Sequence, residues 1–369
     1  MTTARSKPKV LIVNMGGTIL MRPNPTTGLL EPTAAGIDIL NEMPYLGHIA
    51  ELDVLNLYNV DSSDTQPEMW AELALVIRER QDEYNGFVVT HGTDTLAYTA
   101  SALSLMLDLT KPVIVTGSQL PLVGHVATDA MLNLAHAVEA ATLDIGEVAV
   151  AFGPVLLRGS RVHKHSEYHF DAFSTPNAPL LGEFGIRTRL TGIEVPKRSH
   201  RIELRNVTMN LKVQQLSIFP GMSPQVIEQA IAAGIKGLVI HGYGAGNVPT
   251  GHRSLLPAIA RATEEGITVV ISTQCTQGGV EVLYATGQAA IDAGAISAGD
   301  MTQEMTIVKL MWALGQSSSL ADVRQIMERT YAHEHSRYSP TLPQHQPQLT
   351  SIKHAQEISS ISVGAVASN

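Results

Sequence analysis

The chain has 369 residues, a formal net charge of −9 and a hydrophobic fraction of 44%. Phosphate binding needs a basic surface, so this acidic balance argues against nucleic acid as the main partner. No segment approaches the roughly 20 consecutive apolar residues of a membrane span, so we expect no contact with a membrane. The length allows two domains that each have their own core.

Short apolar segments alternate with helix-length segments along the chain. Strands rich in Val and Ile, separated by helices, indicate a parallel sheet covered on both faces and therefore the α/β class. Strands are predicted at residues 9–14, 52–58, 86–90, 112–116, 147–152, 213–218, 236–241 and 267–272, and helices at 67–82, 94–108 and 126–141.

The alternation stops at about residue 154 and starts again near residue 213. After residue 332 the chain is rich in His, Pro, Gln and Ser, a composition typical of a flexible tail. The predicted division is an N-terminal domain over 1–200, a linker over 201–212, a C-terminal domain over 213–332 and a tail over 333–369.

Cysteine usage and the first residues predict a cytoplasmic location. Cys275 is the single cysteine, which excludes an intrachain disulfide and is typical of a reducing compartment. The apolar run at 10–13 is too short for the apolar region of a signal peptide.

Two threonine-bearing turns, at residues 14–18 and 90–95, each follow a predicted buried strand. This edge of an open α/β sheet is where ligands bind. Paired glycines before Thr18 permit a close approach of the backbone, and nearby amides could stabilise an oxyanion. The alternatives are a phosphate-binding turn or a plain strand-to-helix turn.

The second turn presents Thr93 followed directly by Asp94. This pair is either a helix cap, or Thr93 is a second nucleophile or proton relay and Asp94 binds a cationic group. Lys164 is a candidate base, since a desolvated lysine can lose its proton near neutral pH; the alternative is an ordinary surface lysine. The histidines at 163, 165 and 169 leave a metal site as a further alternative.

Two other loops have weaker signals. Ser62, at a predicted helix start, either caps the helix or holds a carboxylate together with the adjoining amides. The glycine loop at 242–247 fits a dinucleotide site only loosely, because no acidic residue ends the next strand. We therefore predict no cofactor.

Eight segments carry a combined signature, which includes Met-Gly-Gly-Thr-Ile and His-Gly-Thr-Asp-Thr; they lie at 15–19, 61–64, 86–103, 111–119, 171–177, 243–247, 273–275 and 284–287. Together they resemble the bacterial-type L-asparaginase family, and within it the cytoplasmic type I enzymes, over residues 9–315. The resemblance implies hydrolysis of L-asparagine to L-aspartate and ammonia. It implies a larger N-terminal flavodoxin-like parallel sheet, a smaller C-terminal Rossmann-like domain, and a homodimer or homotetramer with active sites between subunits.

The resemblance also implies a role for each matching residue. Thr18 falls on the primary nucleophile, and Thr93, Asp94 and Lys164 fall on a relay. The substrate-binding residues that it implies are Ser62 and Ser63 for the α-carboxylate and α-amino group, Asp94 for the amine, and Ser118 for the side-chain amide.

The chain departs from the family pattern at several positions. Leu29 stands where the family usually has a tyrosine that assists the nucleophile. Cys275 matches a residue of the allosteric site of some type I members, but His163 and His241 replace its threonine and arginine, so allostery does not follow from the resemblance.

Three alternative functions stay open. One is a related amidase with glutaminase activity. Another is the asparaginase-like subunit of archaeal glutamyl-tRNA amidotransferase. That subunit normally has an extra N-terminal domain, and we expect no room for such a domain before residue 16. The third is a non-catalytic amino-acid sensor on the same scaffold.

Overall fold

The computed structural model describes residues 6–32, 38–191, 203–281 and 285–336. The strands are β1 (Lys9–Gly16), β2 (Met21–Pro23), β3 (Leu30–Pro32), β4 (Glu51–Val60), β5 (Gly86–Thr90), β6 (Leu107–Asp108), β7 (Val113–Thr116), β8 (Val148–Phe152), β9 (Val155–Arg158), β10 (His163–Lys164), β11 (Phe173–Ser174), β12 (Gly182–Glu183), β13 (Arg189–Leu190), β14 (Glu203–Leu204), β15 (Val213–Ser217), β16 (Gly237–Gly242), β17 (Thr268–Thr273) and β18 (Ile296–Ser297). The α-helices are α1 (Ile39–Glu42), α2 (Pro67–Arg80), α3 (Leu96–Met106), α4 (Ala130–Ala140), α5 (Gln225–Ala232), α6 (Leu256–Glu264), α7 (Ala285–Asp292), α8 (Gln303–Gln316) and α9 (Leu320–Glu328).

The larger sheet has the strand order β13-β12-β9-β8-β7-β5-β1-β4. Its strands are parallel from β8 to β4, and β9, β12 and β13 extend it in antiparallel pairing. Successive side chains of β1 enter opposite apolar clusters, Val13 on one face and Ile12 on the other. Both faces are therefore covered, which explains why the central strands are continuous apolar runs.

The smaller sheet is four parallel strands in the order β15-β16-β17-β18. One face packs on α5 and α6 through Ile227, Ile240 and Ile259. The other face contributes Val239 and Val270 to the apolar cluster that also covers one face of the larger sheet. The predicted α/β class, with a larger N-terminal and a smaller C-terminal parallel sheet, is confirmed.

Helix boundaries differ from the prediction where a polar loop precedes the helix. The helix predicted over 126–141 begins at Ala130, because Asp129 holds the preceding loop instead. The helix predicted over 94–108 spans Leu96–Met106 and leads into β6. In the described part of the chain, no helix has both the length and the apolar character to cross a membrane.

The predicted tail starts too early. Glu334, two residues into it, is fully buried and pairs with the equally buried Lys309 of α8, with Nζ and Oε1 2.7 Å apart. Ser336 donates its backbone amide to Asp300 over 2.8 Å. The packed chain therefore continues to residue 336. The rest of the predicted tail, 337–369, lies outside the described residues, as does the predicted domain boundary at 200–201.

Candidate active site

Three turns meet at the carboxyl edge of the larger sheet. A Cβ atom on Gly17 would lie 2.2 Å from the backbone nitrogen of Gly92, and one on Gly92 would lie 2.5 Å from Oγ of Ser62. Gly17 also has φ of +83°, a conformation that L side chains rarely adopt. The glycines are therefore required here for close contact between the two threonine turns and the serine loop.

Thr18 directly follows the closest of these contacts. It opens the short 3₁₀ turn Thr18–Leu20 and is half-buried. Its hydroxyl has no hydrogen-bond partner among the described residues, although the turn itself is fixed by a bond from the amide of Leu122 to the carbonyl of Ile19. The hydroxyl is thus held at the site and free to contact a ligand.

Lys164, on the short strand β10, reaches the second threonine turn. Its Nζ donates to Oγ1 of Thr93 over 2.8 Å and to Oδ1 of Asp94 over 2.7 Å. Thr93 is 7% exposed, and the side chain of Asp94 is 66% exposed. Asp94 is not a helix cap, since α3 begins at Leu96 after Thr95 and has no side-chain cap bond. The structure brings the three predicted relay residues into direct contact.

Gln119 is a site residue to which the sequence analysis gave no role. Its Oε1 accepts from the Thr93 hydroxyl over 3.3 Å, and its Nε2 donates to the carbonyls of Glu167 and His169. Asp129 holds the loop that carries Gln119 by accepting its amide over 2.9 Å. The only available signal was its place in a quoted motif, beside Ser118.

The predicted substrate-binding serines have different environments. Ser62 is buried, and its carbonyl accepts from the hydroxyl of Thr95 over 2.7 Å. Ser63 is exposed and donates its hydroxyl to Asp61 over 2.7 Å. Hydrogen bonds from the amide and hydroxyl of Ser63 hold the pKa of Asp61 below its ordinary value. Ser118 is fully buried, and its hydroxyl donates to the carbonyl of Leu120.

His91 is buried, and it holds the second threonine turn through hydrogen bonds. Burial lowers its pKa to about 4, so the ring is neutral at physiological pH. Its Nε2 lies 2.8 Å from Oγ1 of Thr99, which accepts from the indole of Trp70, and its Nδ1 lies 2.8 Å from the carbonyl of Gly92. His91 therefore fixes the turn and is not a proton donor near neutral pH.

Leu29, at the position of the absent tyrosine, lies at the end of an exposed turn between β2 and β3. Its side chain is 70% exposed. Asn24 organises the turn by accepting the amides of Thr26 and Thr27 and donating to Glu31. The loop is thus a hydrogen-bonded hairpin.

The histidines at the positions that depart from the allosteric pattern lie near α8. Nδ1 of His163 is 2.8 Å from Oε1 of Glu304, and this contact raises the histidine pKa against the opposing effect of burial. His241 is fully buried on β16, and burial lowers its pKa. Among the described residues, no three His, Cys, Asp or Glu side chains are grouped to hold a metal ion.

Two family models match most of the chain: "Asparaginase, N-terminal" over residues 9–195 and "Glutaminase/Asparaginase C-terminal domain" over residues 212–327. The chain is 38% identical over 341 residues to L-asparaginase 1 of Escherichia coli, covering 89% of this chain and 98% of that protein. It is 35% identical over 344 residues to a glutamyl-tRNA(Gln) amidotransferase subunit of Pyrococcus horikoshii, covering 90% of this chain and 78% of that protein.

Solved structures agree with these matches. The thermostable L-asparaginase from Thermococcus kodakarensis superposes with a TM-score of 0.81 at 35% identity, covering 89% of this chain and 99% of that one. L-asparaginase I from Vibrio cholerae superposes with a TM-score of 0.79 at 34% identity, covering 90% of this chain and 100% of that one. The chain therefore belongs to the asparaginase family of enzymes, as its sequence motifs predicted.

Proposed function

We propose that the protein hydrolyses L-asparagine to L-aspartate and ammonia, with Thr18 as nucleophile. The observation that carries this proposal is the contact of Lys164 with both Thr93 and Asp94, at 2.8 and 2.7 Å, beside the turn that presents Thr18. A hydroxyl nucleophile needs a base and a route for its proton. In this proposal Lys164 is the base, and Thr93 and Asp94 complete the route.

Asparagine is a zwitterion with a side-chain amide, and the site has a group for each part. Asp94, 66% exposed, is available to the α-ammonium group, and we assign the buried Ser62 with nearby amides to the α-carboxylate. The amide then faces Thr18. The resemblance assigns Ser118 to the side-chain amide, and this assignment is part of the proposal.

The reaction follows in two balanced steps. Oγ1 of Thr18 bonds to the amide carbon and its proton passes to the Thr93–Lys164–Asp94 relay. Return of a proton to the nitrogen releases ammonia as the carbon–nitrogen bond breaks, leaving an aspartyl ester on Thr18. Water then attacks the ester carbon, its hydroxyl completes aspartate, and its proton restores the threonine.

We expect the purified protein to release ammonia from L-asparagine without added metal or cofactor. The measurement is ammonia release from L-asparagine, L-glutamine and D-asparagine at matched concentrations, with and without EDTA. Release from L-asparagine alone or preferentially supports the proposal. Faster release from L-glutamine would instead support a glutaminase, and binding of asparagine without release would support a sensor.

Lys164→Met should lower kcat by about 10²-fold or more, because positioned acid–base groups contribute at least that much. Methionine preserves the apolar stem but removes the group that contacts Thr93 and Asp94. Lys212, which is exposed, gives a matched control as Lys212→Met. Unchanged kcat in Lys164→Met, with unchanged melting temperature, would exclude the relay.

A complex of the amidotransferase kind stays an alternative, because the chain also matches the P. horikoshii amidotransferase protein over 78% of that protein. The homodimer or homotetramer and the cytoplasmic location stay predictions. Sedimentation equilibrium of the purified chain distinguishes the oligomers from a monomer.

A further inference from the structure

The relay lysine lies on a strand with little support of its own. β10 has two residues, His163 and Lys164, and belongs to a two-stranded sheet with β11 rather than to the larger sheet. Side chains alternate along a strand, so His163 and Lys164 point to opposite sides. Lys164 points to the threonine turn, and His163 points to α8.

Two side-chain pairs connect this strand region to the segment that opens α8. Arg161, almost fully buried, donates to Asp300 through Nη1 and Nη2 over 3.1 and 2.6 Å. Two residues later, Nδ1 of His163 lies 2.8 Å from Oε1 of Glu304. Asp300 and Glu304 lie within five residues of each other, so they hold the chain at Arg161, two residues before the strand, and at His163, its first residue.

The carboxylate of Glu304 also depends on His163 for its hydrogen bonding. It is buried in the first turn of α8, and its Oε2 has no hydrogen-bond partner among the described residues. The histidine therefore supplies the hydrogen bond that the structure gives this carboxylate. A buried carboxylate with a single partner makes a contact that is costly to break.

We propose that Glu304 is a positioning residue, which holds Lys164 against Thr93 and Asp94 by anchoring the adjacent His163. The proposal rests on the proposed function, since it assigns Lys164 to the relay. Glu304 touches none of the reacting groups. Its effect passes through the backbone of β10.

The contact between His163 and Glu304 weakens as pH rises. The contact with Glu304 raises the pKa of His163, so the charged pair forms below that pKa and weakens as pH rises through it. The other titratable groups facing Glu304 are His241 from β16, whose pKa is lowered by burial, and Tyr98 from α3, whose pKa is raised by burial. Neither is charged at neutral pH.

The test compares Glu304→Gln, His163→Asn and their combination with the wild type. Glu304→Gln should lower kcat about tenfold with KM changed less than about twofold, because a misplacement far from the chemistry acts on catalysis. His163→Asn keeps a donor at the position of Nδ1 that does not titrate. Below the pKa of His163 it should lower kcat about as much as Glu304→Gln, because both variants lack the charged pair, and it should lose the step that the wild-type pH profile shows at that pKa.

The double variant should be no worse than Glu304→Gln alone, since both changes act on one contact. Additive losses, or a lower melting temperature with unchanged kcat in Glu304→Gln, would overturn the proposal in favour of a structural role for Glu304. A matched control is Glu328→Gln, an exposed ion-pair partner on α9.

A second readout does not depend on activity. Acetylation of Lys164 by a limiting reagent, measured by mass spectrometry against exposed Lys212, should be faster in Glu304→Gln than in the wild type. Equal labelling rates would contradict the anchoring even if the kinetics agreed. Absence of ammonia release from the wild type would refute the proposed function alone, and the labelling rates would still decide whether Glu304 anchors Lys164.

Discussion

Replacing Thr18 by alanine should lower kcat for L-asparagine by at least about 10⁴-fold, as loss of the nucleophile does in other hydrolases. The change should leave stability nearly unaltered, because the hydroxyl has no hydrogen-bond partner among the described residues and the side chain is only half-buried. A loss of kcat in this variant would therefore reflect the chemical step and not a loss of folded protein. It is measured as ammonia release under saturating substrate, with the melting temperature recorded in parallel.

Thr18→Ser is the matched control, since it keeps the hydroxyl and should retain kcat within about tenfold. Acid-quenched mass spectrometry during turnover should find the aspartyl ester on the peptide that contains Thr18. An ester on Thr93 instead, or near wild-type turnover in Thr18→Ala, would exchange the roles of the two threonines. Thr93 is the weaker candidate for direct attack, because it is more deeply buried and its hydroxyl is already engaged by Lys164 and Gln119.

The longer parallel strands of both sheets were predictable because their physics is local, whereas β9, β12, β13 and β18 were not predicted. A central parallel strand is covered on both faces, so β5, β7 and β8 are continuous apolar runs that sequence inspection finds directly. The threonine turns follow from the same rule, since each lies just past such a strand. The paired glycines predicted a close approach of the backbone. That Gly17 approaches Gly92 could be seen only in the folded structure.

Contacts between distant parts of the chain were not predictable. Gln119 reaches the carbonyls of Glu167 and His169, and His163 reaches Glu304, 141 residues away. No periodicity or spacing encodes such pairs, because they depend on how separate elements pack. The family resemblance named the residues of the proposed relay, but the contacts of Gln119 and of His163 with Glu304 emerged only from the structure.

The start of the tail was misplaced for a related reason. Composition describes a segment as a whole, and 333–369 is rich in His, Pro, Gln and Ser. The average composition does not show that one side chain, Glu334, is buried and neutralises the buried charge of Lys309. Lys309 is fully buried, and its Nζ donates to Glu334 and to the carbonyls of Met327 and Arg329.

Truncation after residue 332 should therefore destabilise the protein severely, whereas truncation after residue 336 should not. Removing Glu334 leaves Lys309 as an unpaired buried charge, which costs about 3–5 kcal/mol, a large fraction of the stability of a typical domain. The shorter chain also loses the contacts of Ser336 with Asp300 and of the Glu334 carbonyl with Arg161. Urea denaturation of the two truncated proteins and the full chain measures the difference.

Full-length Glu334→Gln separates the loss of charge from the loss of chain. It should lose most of the same stability, and Lys309→Met combined with Glu334→Gln should recover more than half of it, because no buried charge is then left unpaired. The glutamine oxygen still accepts the amides of Tyr331 and Ala332, as the glutamate does. Equal stability of the 332 and 336 truncations would contradict the role assigned to this pair.

The pair also makes part of the stability depend on pH. Burial opposes ionisation of Glu334, but the charge of Lys309 and hydrogen bonds outweigh it, so its pKa lies below the ordinary 4.5. The stabilisation is thus present above that value and disappears as pH falls through the lowered pKa. The full chain and the 336 truncation should share this acid-induced loss, and the double variant should lack it, because it carries neither of the two charges.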